Sequence, residues 1–256
     1  METRRHFLKK GTLLGMALTP LPYCLRALPR RSSPTKRDHD LVFLFQGDSI
    51  TDGNRGRSTD LNHSMGHGYA FSIASRVGAE FPDKNLRFFN RGVSGNKITD
   101  LAQRWQTDTL ALKPDVLSIL IGVNDAASVL NHRDSVSVSR YETVYASLLE
   151  QTRQALPDTL FVLGEPFILP NPTFKDKWAD WQIDIQERQQ VVQRLASTFN
   201  AVYVPYQKAF SAAVQRAPVE YWIWDGIHPT IAGHELMTRE WLKQVRHRLH
   251  FLKRST

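Results

Sequence analysis

A serine, an aspartate and a histidine stand in this chain in the combination a nucleophilic hydrolase requires. Ser49 follows an apolar run that stops at Gly47-Asp48, and Asp225-Gly226-Ile227-His228-Pro229 lies near the far end of the sequence. A serine hydroxyl is a weak nucleophile at its free pKa and needs a neighbouring base. His228 can take the proton and later return it to a leaving alcohol, while Asp225, three residues earlier, can accept a hydrogen bond from the far ring nitrogen and fix the tautomer. Acyl transfer also needs donors aimed at the oxygen of the tetrahedral intermediate. The backbone N–H groups of Ser49 and Gly92 and the side-chain amide of Asn124 are suitable. Glycine at 92 lets the backbone approach closely, and an amide donates without bringing a charge.

Neighbouring residues have plainer readings that compete with chemical ones. Asp48 either shapes the turn beside Ser49 or touches substrate. Trp224, next to Asp225, either walls the acyl pocket or packs in the core. Asp125 reads as the cap that starts a helix after Asn124. Gly92-Val93-Ser94-Gly95 approaches a nucleophile elbow, but residue 96 is Asn, so the pattern is incomplete and Ser94 reads as a loop residue. Arg104 and Trp105 read as residues packing a helix on its neighbours. His63, His67 and His132 read as loop histidines, and His234 as a residue that packs or hydrogen-bonds on the last helix.

The elements that must position these groups alternate between short apolar runs and longer amphipathic ones, the pattern of a parallel sheet covered by helices. Strands are expected at 41–46, 86–90, 116–121, 159–164 and 201–204. Helices are expected at 68–81, 98–112, 139–155, 178–199 and 230–249. In such sheets ligands bind beyond the carboxyl ends of the strands, near the point where strand order reverses. Gly47-Asp48-Ser49 follows the first strand, Asn90-Arg91-Gly92 the second, Gly122-Val123-Asn124-Asp125 the third, and the histidine segment comes after the fifth. Segments 51–67 and 165–177 are too long and irregular for simple connectors and read as binding loops.

Charge separates the first 37 residues from the rest. Lysine and arginine total 33 against 25 acids. Residues 1–37 hold nine of the bases and one acid, leaving 24 of each sign in 38–256. Without the leading segment no basic field remains to attract nucleic acid. Thr3-Arg4-Arg5-His6-Phe7-Leu8-Lys9 resembles a twin-arginine export signal, and the apolar stretch at 11–25 is too short to span a bilayer comfortably. The sequence therefore reads as an export signal and linker at 1–37 and one hydrolase domain at 38–256, periplasmic or secreted, with no membrane association beyond the signal. Cys24 is the only cysteine, so the domain has no disulfide, thiolate metal site or cysteine nucleophile.

Four blocks, Gly47-Asp48-Ser49-Ile50, Gly92, Gly122-x-Asn124-Asp125 and Asp225-x-x-His228, resemble those of the SGNH (GDSL-type) hydrolases and come in the same order. The resemblance implies a flavodoxin-like three-layer α/β/α sandwich around a five-stranded parallel sheet. It implies Ser49, Asp225 and His228 as the triad, and Ser49, Gly92 and Asn124 as the oxyanion hole. Asn90-Arg91-Gly92-Val93-Ser94-Gly95-Asn96 and Trp224-Asp225-Gly226-Ile227-His228-Pro229-Thr230 are similar to the bacterial acetyl xylan esterase branch. That branch implies removal of acetyl groups from xylan or xylo-oligosaccharides with no metal or cofactor, and leaves a homo-oligomer open. The export signal is a departure from it. The alternatives weighed are a lysophospholipase or thioesterase acting on longer acyl chains, a two-metal phosphoesterase, and a sugar-binding protein that keeps the fold without the chemistry. The phosphoesterase reading wants an early Asp-x-His and a late Gly-His-x-His. Neither is present where it would be needed.

Overall fold

The computed structural model describes residues 41–58, 60, 62–132 and 135–254. The twin-arginine motif, Cys24 and the rest of 1–37 lie outside the described residues. Five strands, β1 (Leu41–Gly47), β2 (Leu86–Asn90), β3 (Val116–Leu120), β4 (Leu160–Gly164) and β5 (Val202–Val204), form one sheet in the order β2-β1-β3-β4-β5. Every pairing is parallel. This is the flavodoxin-like strand order, with its switch point where β1 lies between β2 and β3.

Parallel strands need crossovers that cover both faces, so a central strand is buried on each side and loses the polar alternation of an exposed sheet. The Leu-Val-Phe-Leu-Phe run of β1 is buried throughout. The helices are α1 (Ser49–Asp52), α2 (Tyr69–Glu80), α3 (Ile98–Asp108), α4 (Val123–Leu130), α5 (Val138–Ala155), α6 (Trp178–Thr198), α7 (Tyr206–Ala213), α8 (Val219–Trp222) and α9 (Ile231–Val245). Phe43 and Phe45 pack with Tyr69, Ile73 and Val77 of α2 and Met237, Trp241 and Val245 of α9. Leu44, Leu117, Phe161 and Leu163 pack on the other face with Leu101 and Trp105 of α3, Tyr145 and Leu149 of α5 and Val191 and Leu195 of α6. Burying each of these large side chains contributes on the order of 1.5–3 kcal/mol. The two indoles also find partners inside: Trp105 Nε1 donates to Thr152 Oγ1 and Trp241 Nε1 to Ser118 Oγ, both at 3.0 Å.

The strand expectations hold to within two residues, and the helix expectations differ at their ends for local reasons. The helix expected over 98–112 stops at Asp108, and a 3-10 turn (Leu110–Leu112) follows, ending at Lys113 with a positive φ of 47°. The last helix ends at Val245 instead of 249. The short helices α7 and α8 have too few turns to show a period in sequence. Segment 165–177 is not a surface loop at its start: residues 165–169 are buried, and it closes with a 3-10 helix at Pro172–Lys177. Among the described residues no helix is long and apolar enough to cross a membrane.

Candidate active site

Three strand ends and one late loop meet at the switch point. β1 ends at Gly47, and Asp48 starts α1 as its N-cap, its carboxylate accepting the Ile50 N–H at 3.0 Å. Ser49 is therefore the first residue of a helix, where backbone N–H groups have no partner within the helix. Its Oγ lies 2.8 Å from Nε2 of His228. On the other side of that ring, Nδ1 lies 2.6 Å from Asp225 Oδ2. Asp225 Oδ1 accepts the backbone N–H groups of Ile227 at 2.9 Å and His228 at 2.7 Å. Burial opposes charge on Asp225, but the His228 N–H, the imidazole and the Ile227 N–H outweigh it and hold the carboxyl below its ordinary value. A charged Asp225 makes Nδ1 the donor, which leaves Nε2 as an acceptor facing the serine hydroxyl.

The histidine loop is a small closed unit. An isolated antiparallel bridge pairs Ile223 with Pro229, and the Trp224 N–H donates to His228 O at 3.1 Å. Leu169 N–H donates to Gly226 O at 2.9 Å, fastening the loop to segment 165–177. Gly226 has φ 91°, and a Cβ there would lie 2.4 Å from Phe174, so only glycine serves. Trp224 is 62% exposed and stacks on the His228 ring at 5.7 Å between centroids, with 21° between planes. The core-packing alternative for Trp224 is thus set aside; the indole borders the imidazole from the solvent side.

The serine corner is built differently, from buried cross-links. Asn90, at the end of β2, is 2% exposed, and its Nδ2 lies within hydrogen-bond reach of the carbonyls of Thr51, Asp52 and Met65. Its Oδ1 accepts the Gly92 N–H at 2.9 Å. A Cβ on residue 92 would stand 2.4 Å from the Asp52 N, so glycine is required for the second and first strand ends to touch. Asp52 in turn accepts from Ser94 N and Oγ and forms a two-pronged pair with Arg57, at 2.6 and 3.0 Å. Arg104 reaches Asn96 Oδ1, Gln46 Oε1, the Arg91 carbonyl and Asp108. It was expected only to pack a helix; it joins α3 to the ends of β1 and β2. Asn124 Nδ2 donates to Asn96 O at 3.2 Å, leaving its second N–H for another acceptor.

Asp125 differs from expectation, while Asp48 takes the turn-shaping one of its two readings. Asp125 does not cap its own helix: it lies inside the first turn of α4, and its carboxylate accepts the Ile98 N–H of α3 at 3.1 Å. Burial pushes its carboxyl up to about 6, against the opposing pull of that N–H and of Arg188. Asp48 is 1% exposed, so its carboxylate serves its own turn and offers no surface to a substrate. Burial, with Asp125 and Asp52 nearby, pushes it up to about 7 although the Ile50 N–H works the other way. His234 accepts the Tyr69 N–H on Nδ1 at 3.1 Å, and burial pushes its pKa down to about 4. The sequence reading missed Asn90 and Asp52, although Asn90 directly precedes the Arg-Gly of the second block. Among the described residues no group of three or more His, Cys, Asp or Glu side chains could hold a metal ion.

The profile of the GDSL-like Lipase/Acylhydrolase family matches residues 45–236. The chain belongs to that family and is a carboxylic ester hydrolase. It is 30% identical over 208 residues to an acetylxylan esterase of Geobacillus stearothermophilus, covering 79% of this chain and 92% of the relative. A crystal structure of a catalytic mutant of that species' acetylxylan esterase superposes with TM-score 0.73 at 29% identity, over 80% of this chain and 94% of the other. A candidate GDSL-like lipase of Parabacteroides merdae is similar at 40% identity and TM-score 0.76, over 80% and 95% of the two chains.

Proposed function

We propose that this protein is an exported serine esterase that removes acetyl groups from an acetylated carbohydrate, with xylan or xylo-oligosaccharides the favoured substrates. The observation that carries the chemistry is the unbroken line from Asp225 through both His228 nitrogens to the Ser49 hydroxyl, at 2.6 and 2.8 Å. Ser49 Oγ attacks the acetyl carbonyl as His228 Nε2 takes its proton, and Asp225 stabilises the resulting imidazolium. The Ser49 N–H, the free Asn124 amide hydrogen and the Gly92 N–H receive the oxyanion. Gly92 must share its hydrogen with Asn90 Oδ1 to do so. The protonated histidine then releases the sugar alcohol, leaving an acetyl-serine that water hydrolyses by the same proton route in reverse. Trp224 walls the entrance beside the base.

Likeness to acetylxylan esterases supports the carbohydrate reading. The twin-arginine pattern at Thr3–Lys9 supports a periplasmic or secreted location. The test is acetate release from acetylated xylans, mannans, pectins and xylo-oligosaccharides, with Ser49→Ala as the blank. Release from xylan fragments that disappears in Ser49→Ala supports the proposal. Acetate release persisting in that variant overturns the role of Ser49. A series of nitrophenyl esters with maximal rate at octanoate rather than acetate overturns the acetyl specificity in favour of a lipid or thioester substrate.

A further inference from the structure

A cleft lies between α6, α7 and the start of segment 165–177, the segment that is hydrogen-bonded to the histidine loop. Its volume is about 450 Å³, within the ~300–1,000 Å³ range of ligand-sized clefts. Its lining carries no charged side chain and an unusual share of amides: Gln182, Gln186 and Gln189 from α6, Gln207 from α7, and Gln215. Trp178 stands at one end, half-buried and packed against Phe174 at 5.3 Å between centroids.

The amides fall into two sets with different duties. Gln189 donates to the Pro166 carbonyl, while Gln207 accepts the Ile168 N–H at 3.1 Å and donates to its carbonyl at 3.0 Å. Those two fix the floor of the cleft, where Ile168 and Leu169 are buried. Gln182, Gln186 and Gln215 are exposed along the rim. A primary amide offers two donors and an acceptor with no charge, which suits hydroxyl groups, and an indole offers a flat apolar surface for the C–H face of a ring. Amides with an aromatic ring and no ionic group match a neutral polyol better than an anion or a cation. The cleft is also tied to the reaction centre: Leu169, in its floor, donates to the Gly226 carbonyl inside the loop that carries Asp225 and His228.

We propose that this cleft is an accessory subsite for an unacetylated stretch of neutral glycan, engaging the chain while an acetylated residue is worked on at Ser49. The inference rests on the carbohydrate reading above, and it adds a place where a longer substrate gains affinity that a small ester cannot use.

The experiment has a binding arm and a kinetic arm. Ser49→Ala enzyme is titrated with unacetylated xylotetraose and xylohexaose by calorimetry and by amide NMR shifts. Saturable binding is expected, with shifts in the side-chain amides of Gln182, Gln186 and Gln215, weakened about tenfold by Trp178→Ala. Gln186→Glu, at an exposed position where misfolding is not a concern, serves as the second variant and should weaken binding several-fold. In otherwise unaltered enzyme, Gln186→Glu should raise KM for acetylated xylan and lower the ratio of xylan to nitrophenyl acetate turnover by a similar factor. No saturable binding to the intact cleft overturns the subsite, as does binding that neither variant weakens. Equal loss on polymer and small ester also overturns it. If acetylated carbohydrates are not deacetylated while nitrophenyl acetate is, the proposed function fails by itself, and the titration still decides the cleft separately.

Discussion

The two halves of the candidate site are held by opposite means. Ser49 sits on a corner locked by buried cross-links, with Asn90 tying β2 to α1 and the following loop, and Arg104 tying α3 to two strand ends. His228 and Asp225 sit on a partly exposed loop, with side chains 35% and 20% accessible, whose main order is local: one carboxylate oxygen collects two backbone N–H groups within three residues. The nucleophile is therefore placed by the sheet, and the base by a turn that organises itself. Damage to the first should be felt by the whole domain, and damage to the second mainly by the chemistry.

The largest expected effect separates the halves most sharply. Asp225→Asn can keep an acceptor for the Ile227 and His228 N–H groups but turns a donor toward His228 Nδ1, favouring the wrong tautomer. Turnover should fall on the order of 10³–10⁴-fold, with unfolding free energy changed by less than about 1 kcal/mol. A matching collapse in stability would show that the loop is not self-contained. Asn90→Ala is the converse. It strands buried carbonyls and the Gly92 N–H, and denaturant melts should show a loss of about 3 kcal/mol. A variant as stable as the parent would sink the view of Asn90 as the brace.

Asn124→Ala tests the boundary between them. The loss expected is on the order of 10²-fold in kcat with KM nearly constant; a change in KM alone would make Asn124 a substrate contact. The smallest effect concerns charge. Asp48 is raised to about 7 in the fold from an ordinary 3.8, so its contribution to stability is complete below pH 3.8 and is lost as pH rises through 7. Asp48→Asn should therefore melt higher than the parent at pH 8, by on the order of 2 kcal/mol, with the gap closing near pH 4. His234 has the opposite sign: lowered to about 4 from 6.5, it stabilises above pH 6.5 and loses that contribution as pH falls toward 4. His234→Gln should flatten the fall in melting temperature between pH 6.5 and 4.

Much of this was legible in sequence because the strands are short apolar runs and the chemical residues follow them directly. The runs alone were enough for a parallel sheet, whereas its flavodoxin-like strand order was implied only by the resemblance to the SGNH hydrolases. What escaped was the bracing. Asn90 acts on the carbonyls of Thr51, Asp52 and Met65, which have no residue type to read, and Arg104 joins acceptors on Gln46, Arg91, Asn96 and Asp108 that only folding brings together. Asp125 was misplaced for the same reason: its partner is the N–H of Ile98, on a different helix. Trp224 was ambiguous because an indole beside a catalytic turn looks the same in sequence whether it faces inward or outward.

The stacking of Trp224 on His228 gives the molecule an optical gauge of its own base. An indole lying over an imidazole at this distance should emit less light once the ring becomes a cation held against its π-face. The difference in fluorescence between the parent and Trp224→Phe, followed across pH, would then trace the protonation of His228 in the resting enzyme without substrate. Repeating the trace with Asp225→Asn would show how far the carboxylate sets that protonation, by light rather than by rate.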